Sequence, residues 1–145
     1  KMAVIHITGD KDYNDFKQMY LNEKVPSEVY RFHEQMEDLY AEADLALTRA
    51  GAGTLFELAL FSLPAIVIPY PHAEGHQELN ARFFEKQGAL AVLSENEASP
   101  EKLKKEISRL MNSHVLRAEM SGRLHQWAYP DAARRLVEAA EELCR

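Results

Sequence analysis

The chain of 145 residues has the size of one ordinary domain, and 46% hydrophobic with 28% charged residues is the balance of a globular protein. Its formal net charge of −6 argues against a nucleic-acid binder, which usually presents a basic face. A nucleoside diphosphate is not excluded, because the backbone N–H groups at the start of a helix can hold one.

The first third of the chain alternates short apolar runs with helical patterns. An apolar, β-branched run at residues 2–8 predicts a strand that ends at the turn signal Gly9-Asp10. Apolar residues then recur at helical spacing over residues 12–23. A short strand is predicted at residues 29–32, followed by a helix whose apolar face runs from Met36 to Ala43.

The same alternation continues to the C-terminus. Further strands are predicted at residues 44–48, 65–69 and 89–93, and the second of these is apolar enough to be covered on both faces. Helices are predicted at residues 54–61, 78–87 (closed by Gly88), 114–127 and 131–143, and one more begins at Ser99-Pro100. This order predicts an α/β fold with a doubly wound parallel sheet, in which ligands bind beyond the carboxyl ends of the strands.

Cysteine content and hydropathy bear on the setting of the protein. Cys144 is the only cysteine, so no internal disulfide can form, and we expect a reducing, cytoplasmic setting. No apolar run approaches the roughly 18 residues that cross a bilayer. Because the sequence runs directly into its first strand, we expect it to be part of a longer protein.

The first segment of chemical interest is residues 48–54, TRAGAGT. Small residues let the backbone approach a ligand, and the helix that follows turns free N–H groups and its positive end toward the loop. Glu57, one turn into this helix, is placed to pair with ribose hydroxyls. By itself the pattern also fits a plain strand–helix turn, with Glu57 merely favouring the helix dipole.

The second segment, residues 69–81, concentrates polar side chains before a helix. They are His72, His76, Gln77, Glu78 and Asn80. Amide and imidazole groups at a strand end suit sugar hydroxyls, which need both donors and acceptors. A zinc site on His72, His76 and Glu78 is the rival, but no second ligand cluster accompanies it. A polar loop with capping residues is the third interpretation.

Polar and aromatic residues elsewhere are given structural interpretations. We expect His6 to be a satisfied core histidine, Asp131 to cap the final helix, and Trp127 and Tyr129 to pack against that helix. His33 is placed either at the ligand edge or on the surface.

Together the two segments resemble the MurG family, the bacterial UDP-N-acetylglucosamine–N-acetylmuramyl-(pentapeptide) pyrophosphoryl-undecaprenol N-acetylglucosamine transferases. The matching stretches are ADLALTRAGAGTLFEL at residues 43–58, PAIVIPYPH at 64–72, HQELNA at 76–81, Gly88-Ala89 and YPDAA at 129–133. The combination covers most of the chain and is far more specific than any one piece.

The resemblance implies the Rossmann-like C-terminal domain of a two-domain GT-B glycosyltransferase used in peptidoglycan synthesis. Such an enzyme inverts the anomeric carbon, as the hydroxyl of a lipid-linked acceptor displaces UDP at the cytoplasmic face of the bacterial inner membrane. No cofactor is implied and no metal is strictly required. The resemblance does not name the catalytic base.

The same resemblance assigns donor contacts residue by residue. Met36 meets the uracil through its backbone, and Glu57 bonds the ribose. The phosphates and the sugar are lined by Ala52, Gly53, Thr54, Leu55 and Phe56. Gln77, with His76 and Asn80, holds the N-acetylglucosamine hydroxyls, and some relatives carry glutamine at the position of His76.

Parts of the family pattern are not found in residues 1–145. They are the N-terminal acceptor domain and the first strand of the donor domain with its glycine-rich loop. We therefore expect no transferase activity from this chain alone, and only weak binding of UDP-sugar. The alternatives are the donor domain of another GT-B enzyme, such as a diacylglycerol glycosyltransferase, and a non-catalytic nucleotide-sugar-binding module.

Overall fold

The computed structural model describes residues 2–72 and 75–144, which divide into two compact units at Glu42/Ala43. In the part of the chain so described, no helix is both long and apolar enough to cross a membrane.

The first unit is a βαβα segment. Strand β1 spans Val4–Ile7, helix α1 Gly9–Asn22, strand β2 Ser27–Tyr30 and helix α2 Met36–Glu42. β1 and β2 pair in parallel, with Val4 opposite Ser27 and Ile7 opposite Tyr30. The second strand therefore begins two residues before the predicted 29–32, since pairing with β1 extends it into polar residues that the hydrophobic pattern excluded.

His6 lies on β1, where its side chain is partly buried. Its Nδ1 is 3.0 Å from the Tyr20 hydroxyl, and the edge of the Phe16 ring is packed against it with centroids 4.6 Å apart. Burial lowers the pKa of this imidazole below its ordinary value, because the charged form loses hydration there. His6 therefore has a hydrogen-bond partner, as predicted, but it is only partly buried and is not part of the core.

Over its described residues, the second unit holds three strands and five helices. The strands are β3 (Ala46–Thr48), β4 (Ala65–Val67) and β5 (Ala91–Val92), and the helices are α3 (Ala52–Leu60), α4 (His76–Lys86), α5 (Pro100–Met111), α6 (His114–His125) and α7 (Ala132–Leu143). All pairing is parallel in the order β3-β4-β5. The three residues of β4 are fully buried, which confirms a strand covered on both faces.

The alternation of parallel strands and helices confirms the α/β class. The described strands form two sheets, one of two strands and one of three, whereas the sequence analysis expected a single sheet. Hydrophobic periodicity identifies a strand but not its neighbours, because pairing is decided by contacts distant in sequence.

The core of the second unit lies where helices cover the middle strand. Ile66, Leu110 and Met120 form a buried cluster that joins β4 to α5 and α6. Partly buried apolar residues surround it, namely Leu45, Ala91, Leu93, Leu103, Ile107 and Leu116. Burying these side chains, at about 25 cal/mol per Å² of apolar area, anchors the short strands whose ends carry the site.

Helix boundaries follow local capping chemistry. Ser99 Oγ accepts the backbone N–H of Lys102, with Pro100 at the first helical position, as predicted. Gly88 adopts φ +64° after α4, and the Gly88 and Ala89 N–H groups donate to Glu85 and Phe84 O in a Schellman motif.

Two predictions around the final helix need correction. Trp127 packs edge-on against Phe83 and Phe84 of α4, with ring centroids 4.7 and 6.0 Å away. It was expected on the final helix, which Tyr129 does contact through the Arg135 guanidinium. Asp131 occupies the N-cap position without a side-chain cap, because its carboxylate accepts from Arg134.

Candidate functional site at the carboxyl ends of β3, β4 and β5

The second unit brings three strand ends to one edge of its sheet. Because β3, β4 and β5 are parallel neighbours, the loops that follow them emerge side by side. The last ladder bonds run from Ile68 N–H to Thr48 O at 2.9 Å and from Leu93 N–H to Val67 O at 3.0 Å. Beyond these bonds, side chains must hold the loops in place.

The loop after β3 leads directly into α3. Gly51 is the N-cap and has no side chain with which to cap the helix, so the first N–H groups of α3 remain as donors. Helix geometry directs these donors, and the positive end of the helix dipole, away from the helix body. A helix start with free N–H donors commonly binds anions, and phosphate groups are frequent ligands.

Gly53 enlarges the space at this helix start. A Cβ built on Gly53 would meet no atom within 4 Å, and Gly53 has no positive φ that would demand glycine. Packing and backbone conformation therefore do not explain a glycine here, and in a helix it costs up to about 1 kcal/mol relative to alanine. The glycine leaves the backbone at this helix start uncovered by a side chain.

Residues further along α3 divide between core and surface. Leu55 is buried in the core, and its N–H donates to Gly51 O at 3.0 Å in the first hydrogen bond of α3. Phe56 is half exposed and meets Phe84 edge-on, with ring centroids 5.9 Å apart. Glu57 lies on the exposed side of the helix.

Gln77 connects two of the loops through one atom. Its Oε1 accepts the backbone N–H of Ala50 at 3.1 Å and that of Tyr70 at 2.9 Å. Both partners are donors, which fixes this atom as the amide oxygen. With two donors on Oε1, the hydrogen bonds that Gln77 can offer a ligand come from its Nε2.

The helix that carries Gln77 begins earlier than expected. α4 starts at His76, two residues before the predicted boundary, after Gly75 at φ +76°. His76, Gln77 and Asn80 therefore share the first two turns, with His76 and Asn80 on one face at i and i+4. His76 is exposed and Asn80 partly buried.

Two charged residues also belong to this edge: Glu95, which the sequence analysis did not select, and Arg49, which lies in the selected segment 48–54 but was given no role of its own. Arg49 donates through Nη1 to Ile68 O at 3.3 Å and pairs with both carboxylate oxygens of Glu95. The hydrogen bond from Arg49 holds the pKa of the Glu95 carboxyl below its ordinary value. The sequence signal for Glu95 is its place in the loop after β5, because that loop also follows a strand of the parallel sheet.

Two further residues considered in the sequence analysis, Met36 and His33, belong to the first unit rather than the second. Met36 belongs to the first unit, where it is the partly buried first residue of α2. His33, also in that unit, meets Tyr30 edge-on and has a buried Nδ1 without a hydrogen-bond partner. Residues 73 and 74 of the second polar segment lie outside the described residues. Within residues 2–72 and 75–144, no three His, Cys, Asp or Glu side chains group as metal ligands would.

Both the sequence and the fold of the chain are similar to those of known proteins. Residues 1–136 match the family described as Glycosyltransferase family 28 C-terminal domain. The chain is 36% identical over 146 residues to the UDP-N-acetylglucosamine--N-acetylmuramyl-(pentapeptide) pyrophosphoryl-undecaprenol N-acetylglucosamine transferase of Thermodesulfovibrio yellowstonii, covering 100% of the chain and 40% of that relative. The transferase of the same description from Gloeothece citriformis is 39% identical over 93% of the chain and 37% of its own length.

Solved structures extend the comparison to the fold. The crystal structure of Acinetobacter baumannii MurG superposes with a TM-score of 0.87 at 30% identity, over 97% of this chain and 43% of that one. The glycosyltransferase VinC in complex with DTDP gives a TM-score of 0.67 at 15% identity, over 98% and 42% respectively, which speaks for the fold alone. The chain thus spans about two fifths of the length of the curated relatives it matches.

Proposed function

Because the chain belongs to the glycosyltransferase family 28 C-terminal domain family, we propose that it is the donor-binding part of an inverting N-acetylglucosaminyltransferase. Its donor is UDP-N-acetylglucosamine. The acceptor is the lipid-linked muramyl-pentapeptide of peptidoglycan synthesis, bound through a further domain at the cytoplasmic face of the bacterial inner membrane. The product serves cell-wall growth, and through it cell shape and division.

The observation that carries this proposal is the uncapped start of α3 beside the Gln77 amide. The α3 N–H groups suit a diphosphate, and Gln77 Oε1 fixes the loop before α3 through Ala50. The diphosphate accordingly lies over Ala52–Phe56, with the sugar toward α4. There the Gln77 amide N–H, His76 and Asn80 bond its hydroxyls, and donors and acceptors are both at hand.

The nucleoside end of the donor uses other residues. Glu57 bonds the ribose hydroxyls as a carboxylate acceptor, and Met36 meets the uracil through its backbone. These two assignments follow the family pattern and are tested separately from the diphosphate site by comparing UDP-N-acetylglucosamine with N-acetylglucosamine 1-diphosphate, which keeps both phosphates and lacks the uridine.

The reaction itself explains why a helix start serves here. When the acceptor hydroxyl attacks the anomeric carbon, the bond to the β-phosphate oxygen breaks and negative charge grows on the departing UDP. Fixed N–H donors and the positive helix end stabilise that charge without having to reorient. The proton of the acceptor hydroxyl goes to a base that the described residues do not identify.

A competition titration tests the proposal. The 145-residue chain is titrated with UDP-N-acetylglucosamine, UDP-glucose and UDP-galactose. We expect weak binding, with UDP-N-acetylglucosamine displacing the other two, and no transferase turnover by the chain alone. Preference for UDP-glucose or UDP-galactose would point to another GT-B donor domain, and turnover at the rate of an intact enzyme would contradict the half-site interpretation.

A further inference from the structure

The three strands that end at the site are unusually short. They span three, three and two residues, so few ladder bonds hold their ends together. The side chains of Arg49 and Glu95 lie across those ends. Arg49 directly follows β3. Glu95 lies in the loop after β5 and is 46 residues from Arg49 in the sequence.

The contacts of Arg49 differ in strength. Its Nη1 donates to the Ile68 and Pro69 carbonyl oxygens at 3.3 and 3.5 Å, which is long for an N–H···O bond. Its guanidinium also forms a two-atom pair with the Glu95 carboxylate, through Nη1 to Oε2 and Nη2 to Oε1. A fork of this kind fixes the plane of the guanidinium in a way that two weak carbonyl contacts cannot.

The position of Arg49 in the chain places the pair next to both backbone N–H groups that Gln77 accepts. The next residue is Ala50, whose N–H donates to Gln77 Oε1, and the residue after that is the N-cap of α3. The carbonyls that Arg49 bonds belong to the segment just before Tyr70, the second donor to Gln77. Orientation of the guanidinium therefore affects both N–H groups that meet at Gln77.

We propose that Glu95 is a positioning residue that acts through Arg49. By holding the guanidinium, Glu95 fixes the loop before α3 against the loop after β4, and so sets the distance between the α3 N–H groups and the Gln77 amide. The part of this inference that concerns ligand affinity rests on the proposed donor site. The part that concerns loop order does not depend on any ligand.

Amide hydrogen exchange of the ligand-free chain provides the first readout. Replacing Glu95 with Gln removes the charge but keeps the size of the side chain, and both partners are about half exposed, so the fold is retained. We expect the Ala50 and Tyr70 amides to exchange roughly three- to fivefold faster, which is the scale of an exposed ion pair. Glu95→Asp, which keeps the charge, recovers part of this protection.

A double-mutant cycle shows whether Glu95 works through Arg49. With Arg49→Lys, which keeps the charge and loses the fork, adding Glu95→Gln is expected to produce little further change. Additive effects would overturn the inference. Glu106→Gln is the matched control, since Glu106 forms a similar two-atom pair with Arg109 within α5, away from the strand ends.

Affinity for UDP-N-acetylglucosamine is the second readout, and we expect it to weaken in Glu95→Gln by about the same factor. If the wild-type chain binds no nucleotide sugar, the proposed function fails while the exchange data still decide the positioning role. Unchanged exchange at Ala50 and Tyr70 overturns that role. Faster exchange at these amides with unchanged donor affinity overturns the claim that Glu95 influences donor binding.

Discussion

The side chain of Gln77 accepts the backbone N–H of Ala50 at 3.1 Å, across 27 residues of sequence. This bond joins the first turn of α4 to the residue just before the N-cap of α3. A second bond, from Tyr70 N–H at 2.9 Å, connects the loop after β4 to the same oxygen. The residue expected to contact the sugar is thus also a structural link between the loops that form the site.

Gln77→Glu separates these two roles. A carboxylate still accepts both N–H groups, so we expect stability within about 1 kcal/mol of wild type, but it has no N–H with which to bond a sugar oxygen. Gln77→Ala leaves the two N–H groups without their acceptor and is expected to cost about 1–3 kcal/mol. Urea unfolding and donor titration of both variants check this. Donor binding by Gln77→Glu at wild-type strength would show that the amide does not donate to the ligand.

Gly53→Ala tests whether the space over α3 belongs to the ligand. Its new Cβ meets no protein atom, so we expect up to about 1 kcal/mol of added helix stability together with weaker donor binding. Gly122→Ala is the control, because its Cβ is equally unopposed inside α6. Thermal unfolding and donor titration should show both variants stabilised and only Gly53→Ala impaired in binding.

Gly88→Ala is expected to destabilise the second unit by about 1–2 kcal/mol, the cost of a left-handed non-glycine residue. The backbone has φ +64°, and the new Cβ would lie 2.1 Å from Arg123 Nη1, which bonds Gly88 O at 3.2 Å. Lys24→Gly should act in the opposite direction, since Lys24 holds φ +53° at the equivalent position after α1. Unfolding curves that gave both changes the same sign would contradict this account of the helix ends.

His6 gives the first unit a pH dependence. Its folded pKa lies below the unfolded value near 6.5, so the unfolded chain binds more protons between the two. The contribution of neutral His6 to the free energy of unfolding is therefore fully present above about pH 6.5. It is lost as the pH falls through the folded pKa. We expect His6→Gln to lose less stability than wild type between pH 7.5 and 5.5 in urea unfolding, and an equal loss in both proteins would contradict this role of His6.

The helix caps could be predicted from the sequence, whereas the tertiary packing partners of side chains could not. Ser99-Pro100 and Gly88 were identified because a cap and a left-handed glycine are decided within one turn of the chain. The packing of Trp127 on α4 depends on tertiary contacts that periodicity does not encode.

The same division holds at the site. Residues 48–57 and 76–80 were selected from residue types at predicted strand ends. The Arg49–Glu95 pair was missed, because it joins two loops through exposed charges that resemble ordinary surface residues. The double acceptor role of Gln77 likewise required the folded loops, since nothing in the sequence ties residue 77 to Ala50.

An amide NMR titration of the 145-residue chain with UDP-N-acetylglucosamine tests the central claim most directly, because it detects weak binding and locates it. The account predicts saturable shifts at the backbone amides of Ala52, Gly53 and Thr54 and at the Gln77 side-chain amide, larger than those produced by UDP-galactose. Shifts confined to other surfaces, or none at these groups at millimolar donor, would contradict it.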